Sequence, residues 1–341
     1  MGYSNSLTKR RRELTQGAGP TVNPSTTYAG VLSTPFVAPA FKLANTIAKG
    51  FVRQIDGIQS KAVVSSLTST DPLQAANCDW NDGDDLELGE RVLELTDLAV
   101  MQSLCRATIL PTWAGMGGAR ETMTAGSPEF VNFAMAVVAS ATAQSVENGI
   151  WLGSTVVGKG FLSNTGALTN AGYNASILGT ASVNQVAVAT TGFTTAVLTT
   201  TGAFDKAYQE AVTDCPAILN RPDIAFYVGT KLAGQYMVAL AASGDSQGVN
   251  LQSTNQAFDS LQYLGVPIHV CPGMPAQAIV LTYEDNLVVG SNLNTDYTTA
   301  QYIDAWQYDG SDQTKIAIRF GLGMQVGIPA DVVVGALSTI L

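Results

Sequence analysis

The chain has 341 residues, of which 46% are hydrophobic and only 13% charged, with 17 Lys and Arg against 27 Asp and Glu and a single His; ordinary globular domains carry roughly 25% charged residues. That apolar content excludes a disordered polypeptide, and no stretch approaches the roughly 18 continuous apolar residues of a membrane helix. So few charges on a large folded chain point to surfaces covered by other subunits.

The net charge of −10 is the sum of two opposed regions. Residues 1–61 hold eight basic side chains (Lys9, Arg10, Arg11, Arg12, Lys42, Lys49, Arg53, Lys61) against Glu13 and Asp56, which gives +6; the remaining 280 residues hold 9 basic and 25 acidic, which gives −16. A basic arm on an acidic body suits nucleic acid, an anionic lipid surface or the acidic body of another copy. Met1–Ser6 fits the short myristoylation pattern ahead of Lys9–Arg12, but that pattern is loose, and no membrane partner is expected. No apolar region follows the basic residues, so no secretory signal is expected either.

Taken in order, residues 1–60 are rich in Gly, Pro, Ser and Thr, with Pro20, Pro24, Pro35 and Pro39 spaced through them. They read as an extended arm carrying a short amphipathic helix around Ala40–Ile55. Strand-like Ala62–Leu67 and Leu86–Leu95 flank a strongly acidic segment, because Asp71–Asp97 holds nine carboxylates against Arg91 alone. Such a hairpin calls for solvent, a cation or a basic partner. Calcium is disfavoured by the spacing. Counting from Asp79 as an EF-hand start, Gly83 falls where a ligand belongs and Asp84 where the turn needs Gly.

The clearest helix begins at Ser127, a good N-cap, with Pro128 at the first helical position and Glu129 complementing the helix dipole. Phe130, Phe133 or Ala134, Val137 or Val138, Ala141 and Ser145 recur at three-to-four spacing, and Gly149 is the expected stop. Residues 160–204 contain no charge at all and are dominated by Thr, Ala, Gly, Asn and Val, which predicts strands such as Val183–Ala189 between turns. A mixed block follows, with helices over Asp205–Val212 and Thr230–Ala242 and strands over Ile224–Val228, Val266–Cys271 and Ala278–Tyr283. Further strands are predicted over Lys315–Ile328 and Asp331–Val334. The class is α+β rather than a repeated β-α-β array.

Enzyme chemistry has little to work with. Gly244-Asp245-Ser246-Gln247-Gly248 matches the G-x-S-x-G pattern, but helical rather than strand spacing precedes it, and His269 is the sole base in the chain. No phosphate-binding glycine loop is present. Cys78, Cys105, Cys215 and Cys271 are too dispersed for a zinc site and read as reduced thiols. No catalytic, cofactor-binding or metal-binding residue is assigned.

The order of these parts resembles the tailed-phage major capsid protein family, the Hong Kong ninety-seven fold. The resemblance rests on the basic arm, the acidic hairpin, the long helix ending in Ile150-Trp151-Leu152-Gly153, Leu264-Gly265-Val266-Pro267-Ile268 followed by Met274-Pro275, and Asp312-Gln313 leading to Ile316–Gly321. It covers nearly the whole chain, and its specificity lies in the order of motifs that are each weak alone.

The resemblance implies a structural protein, not an enzyme and without cofactors, that forms pentamers and hexamers and closes an icosahedral shell around double-stranded DNA. It would place an N-terminal arm at residues 1–60, an extended loop at 61–98, a peripheral domain at 99–153 and 306–341 with its spine helix at about 127–149, and an axial domain at 154–305. Its partners would be copies of itself in the same and neighbouring capsomers and DNA held without sequence specificity, with a portal, a separate scaffold or decoration proteins as optional additions. It would assemble in the host cytoplasm and reside in the virion.

Lys9, Arg10, Arg11 and Arg12 on the arm and Asp79, Asp82, Asp84, Asp85, Glu87 and Glu90 on the loop then become candidates for pairing between subunits. Two departures from some relatives are visible. No long charged helical segment stands at the N-terminus as a fused scaffold, and no Lys lies between Lys61 and Arg91 to form a covalent cross-link from the loop. A tail-tube or surface-layer subunit is the alternative, and a serine hydrolase the remaining one.

Overall fold

A computed structural model describes residues 45–69, 86–105, 128–153, 160–162, 184–185, 202–242, 261–276, 278–292, 299–305, 310–311 and 313–336. In chain order the elements are helix α1 (Asn45–Ala48), strands β1 (Arg53–Asp56), β2 (Lys61–Thr68), β3 (Glu87–Glu94) and β4 (Thr96–Cys105), helix α2 (Pro128–Leu152), strand β5 (Asn184–Gln185) and helix α3 (Ala203–Asp214). They continue with β6 (Ile224–Val228), α4 (Thr230–Ala242), β7 (Gln262–Tyr263), β8 (Val266–Val270), β9 (Ala278–Tyr283), β10 (Leu287–Ser291), β11 (Thr299–Asp304), β12 (Gln313–Val326) and β13 (Val333–Ala336). Helices and strands are mixed along the chain, as the α+β class requires.

The chain divides into two compact units. The first takes in the described parts of 99–138 and 299–319. Within it β11 runs antiparallel to β12, in register from Thr299 opposite Arg319 to Asp304 opposite Thr314, and the Ala305 N–H closes the end of the ladder on the Gln313 carbonyl at 3.0 Å.

The second unit takes in the described parts of 40–98, 139–298 and 320–341 and holds a six-stranded sheet in the order β5-β13-β9-β6-β8-β7. Every residue of β6 and of β9 is buried, so these central strands are covered on both faces, which explains their unbroken apolar sequences IAFYV and AIVLTY. On one face, Phe226, Ile279, Leu281 and Val333 pack with Phe204, Ala207 and Ala211 of α3 and Leu232, Ala233 and Tyr236 of α4. On the other, Tyr227 meets Trp151 of α2, with ring centroids 5.8 Å apart.

A smaller core of Ile58, Leu93 and Val288 lies where β1 pairs parallel with β10 and β10 pairs antiparallel with residues 322–326 of β12.

Two elements differ from the sequence reading. Where an amphipathic helix over 40–55 is expected, the described residues 45–55 form a single helical turn, ended by Gly50 in the left-handed region (φ +70°), and then β1. Pairing with β10 overrides the local helical spacing. Helix α2 also runs past Gly149 to Leu152. Its terminal carbonyls find partners beyond the helix, Phe161 N–H on Ile150 O at 2.8 Å and Leu162 N–H on Trp151 O at 2.7 Å, and the left-handed glycine that ends it is Gly153 (φ +68°).

Candidate assembly surface

Strands β2 and β3 form a two-stranded hairpin, in register from Lys61 opposite Glu94 to Thr68 opposite Glu87. Alternation divides its side chains between two faces. Ala62, Val64 and Ser66 share one face with Leu93, Arg91 and Gly89, and this face turns inward: Leu93 is fully buried, and Ala62 and Val64 pack against the small core. Burial pushes the Arg91 guanidinium below its usual range. Backbone approach is close at Gly89, where an added Cβ would stand 2.6 Å from Ser66 Oγ.

The base of the hairpin is locked against β12. Gln325 Nε2 donates to the Val92 carbonyl at 2.7 Å. Gly323 lies so near the Glu94 carbonyl that a Cβ there would come within 2.2 Å of the oxygen.

The opposite face carries Lys61, Val63, Ser65 and Leu67 across from Glu94, Val92, Glu90 and Leu88, and all eight are exposed. The cross-strand pairs Val63–Val92 and Leu67–Leu88 keep half or more of their surface in water, with Val63 at 55% and Leu67 at 63%. Lys61 and Glu94 form an ion pair at the base, and because both are largely exposed it adds little stability. An apolar stripe on an otherwise polar hairpin, fixed at its root and open along its length, is suited to being covered by another protein surface.

Of the sequence-nominated interface residues, Glu87 and Glu90 sit on β3 and are exposed, Glu90 on the apolar-striped face and Glu87 on the other. Lys9, Arg10, Arg11, Arg12, Asp79, Asp82, Asp84 and Asp85 lie outside the described residues, as do Ser246 and the rest of its G-x-S-x-G motif. The apolar pairs were not nominated by sequence reasoning. The signal was available, since Val63 and Leu67 alternate on β2 and Leu88 and Val92 on β3, but alternation alone does not tell which face is inward.

His269, the only candidate base, is part of the packing. Its ring stacks on Phe51 at 3.9 Å and 14°, meets Tyr227 edge-on at 5.5 Å, and lies 3.1 Å from Glu284 through Nε2. Among the described residues no group of His, Cys, Asp or Glu is arranged to hold a metal ion, and no helix is long and apolar enough to cross a membrane.

No protein-family model and no curated protein matches the chain. Solved structures do. The capsid of a native GTA particle computed with C5 symmetry matches with a TM-score of 0.56 at 14% identity, covering 92% of this chain and 99% of that one. The structure from Gordonia phage Cozz matches with a TM-score of 0.56 at 16% identity, covering 89% of each chain, and that from Mycobacterium phage Cain with 0.52 at 12%, covering 90% and 94%. The chain has the phage capsid-protein fold. The capsid-protein fold is in keeping with the mixture of helices and strands along the chain.

Proposed function

We propose that this chain is the major subunit of a phage capsid, self-assembling as pentamers and hexamers into an icosahedral shell around double-stranded DNA. The observation that carries this reading is the near full-length correspondence with a capsid subunit, 92% of one chain against 99% of the other; a shared domain inserted in some other protein would leave one chain largely uncovered. The exposed apolar face of the β2–β3 hairpin supports it, as does the scarcity of charge in the sequence.

In this reading residues 1–60 are the N-terminal arm and 61–98 the extended loop that reaches over a neighbour. Residues 99–153 and 306–341 make the peripheral domain, and 154–305 the axial domain. The basic run Lys9–Arg12 pairs with the acidic loop of an adjacent copy, each contact weak but repeated through the shell. The shell encloses DNA without reading its sequence, with a portal, a separate scaffold or decoration proteins as optional further partners. The subunit is structural rather than catalytic, is assembled in the host cytoplasm and resides in the virion.

Electron microscopy of the purified protein tests the assignment. Rings of five or six or closed shells are expected; a persistent monomer across assembly conditions overturns it.

A further inference from the structure

Residues 45–51 lie in the second unit against β8 and the end of α2. Thr46 is bonded to Glu147 of α2, and at the other end of the segment the Phe51 carbonyl accepts the Tyr227 hydroxyl at 2.7 Å. Beside this second anchor the Phe51 ring lies flat on His269 of β8, with centroids 3.9 Å apart and planes at 14°. Lys49 Nζ stands 6.0 Å from the centre of the same Phe51 ring. The strand that follows, β1, is held independently by its pairing with β10.

The groups around His269 fall into two sets. Phe51 and Lys49 belong to the segment itself. Tyr227 of β6, edge-on to the imidazole at 5.5 Å, and Glu284, 3.1 Å from Nε2, belong to the body of the unit. Burial of the ring disfavours the imidazolium most strongly; the hydrogen bond and charge of Glu284 favour it, and the charge of Lys49 disfavours it. When the segment leaves, Lys49 leaves with it and water reaches the ring face that Phe51 covered, whereas Glu284 stays. The released state therefore takes up the proton more readily than the seated one, and by reciprocity a proton on His269 favours release. Burial pushes the Tyr227 hydroxyl and the Cys271 thiol upward, so both keep their protons as the medium turns acid.

We propose that residues 45–51 form an acid-released strap: protonation of His269 frees them from β8 and the end of α2, while β1 stays paired with β10. The device is complete within one subunit and does not rest on the capsid reading.

Hydrogen exchange of the unassembled full-length chain, corrected for the intrinsic pH dependence of exchange, tests the strap. The amides of Thr46, Lys49, Gly50 and Phe51 are all hydrogen-bonded when it is seated. Their protection should fall about fivefold or more between about pH 7.5 and about pH 5, with that of β6 and β9 unchanged. In His269→Phe, which keeps a ring against Phe51 and takes no proton, the difference should vanish. A second measurement stands whether or not that variant folds. His269 is the only His in the chain, so its imidazole gives a single NMR signal whose titration midpoint can be followed, and Phe51→Ala and Lys49→Met should each raise that midpoint. A midpoint that either substitution leaves in place overturns the proposal, as does equal protection at the two pH values. Greater protection at about pH 5, which attraction of the imidazolium for the Phe51 ring alone would give, overturns it too. A loss of protection that persists in His269→Phe assigns the response to Glu147 and overturns the role of His269.

Discussion

Thr46 donates its backbone N–H to Oε2 of Glu147 at 3.2 Å and its hydroxyl to Oε1 at 2.6 Å, across 101 positions of sequence. Both residues are fully buried, and the indole N–H of Trp151 donates to the same Thr46 hydroxyl oxygen at 2.9 Å. The chain entering from the N-terminal side is thereby fastened to the last turns of α2. Glu147→Ala should destabilise the subunit by about 2–4 kcal/mol, because it strands buried donors, and Glu147→Gln, which retains an acceptor, by less. Urea denaturation of the unassembled chain measures the difference, and equal losses from the two variants would contradict this account.

Gly273 packs directly on that junction. A Cβ there would stand 2.2 Å from the Glu147 carbonyl oxygen and 2.8 Å from the Asn148 nitrogen, both backbone atoms of a helix. Gly273→Ala should therefore cost about 3 kcal/mol or prevent folding. Gly234→Ala, placed in open space within a helix, should stabilise by about 0.5–1 kcal/mol. Thermal melts of the two variants should move in opposite directions.

Burial holds the pKa of His269 below its ordinary 6.5; the hydrogen bond and charge of Glu284 oppose the shift, and the charge of Lys49 adds to it. Between 6.5 and the lower folded value the unfolded chain binds more protons than the folded one. The contribution of His269 is complete above that window and is lost as pH falls through it. His269→Phe should consequently narrow the gap in melting temperature between pH 7.5 and pH 5 relative to wild type; an unchanged gap would remove His269 from the acid response.

The exposed hairpin face is expected to matter for association and hardly at all for folding. Leu67→Asp and Leu88→Asp alter side chains that are 63% and 60% exposed, so each should shift stability by roughly 0.5 kcal/mol or less. Each should nevertheless block shell formation, read by sedimentation velocity. Shells of normal size from both variants would exclude this face from the interface.

Charge reversal tests the arm. Replacing Arg10, Arg11 and Arg12 by Glu changes the charge of residues 1–61 from +6 to 0, since three Arg are removed and three Glu added. Assembly should be impaired at low salt, with a smaller difference from wild type at about 1 M salt, where exposed charges are screened within roughly 3 Å. Unaltered assembly at low salt would remove the arm-to-loop pairing.

Much of the body was legible because its signals are local. Ile224–Val228, Thr230–Ala242 and Ala278–Tyr283 match their predicted bounds, each an apolar run or a helical period set off by turn residues. What escaped depends on partners distant in sequence. Arg53–Asp56 is a strand because Val288–Ser291 lies beside it, and the end of α2 is moved from Gly149 to Gly153 by residues 161 and 162. Of the candidate surface, the acidic character of β3 was readable. Its apolar stripe was not, because only Leu93 entering the core decides which face of the hairpin is left outside.

The aromatic side chain at the end of α2 gives the molecule an internal reporter. Trp151 is fully buried, with the rings of Phe161 and Tyr227 about it and its indole N–H held by Thr46. With Trp80, Trp113 and Trp306 replaced by Phe, its fluorescence should be blue-shifted while residues 45–51 are seated and should redden when water reaches the indole. Undocking of residues 45–51 from the end of α2 then becomes observable in real time.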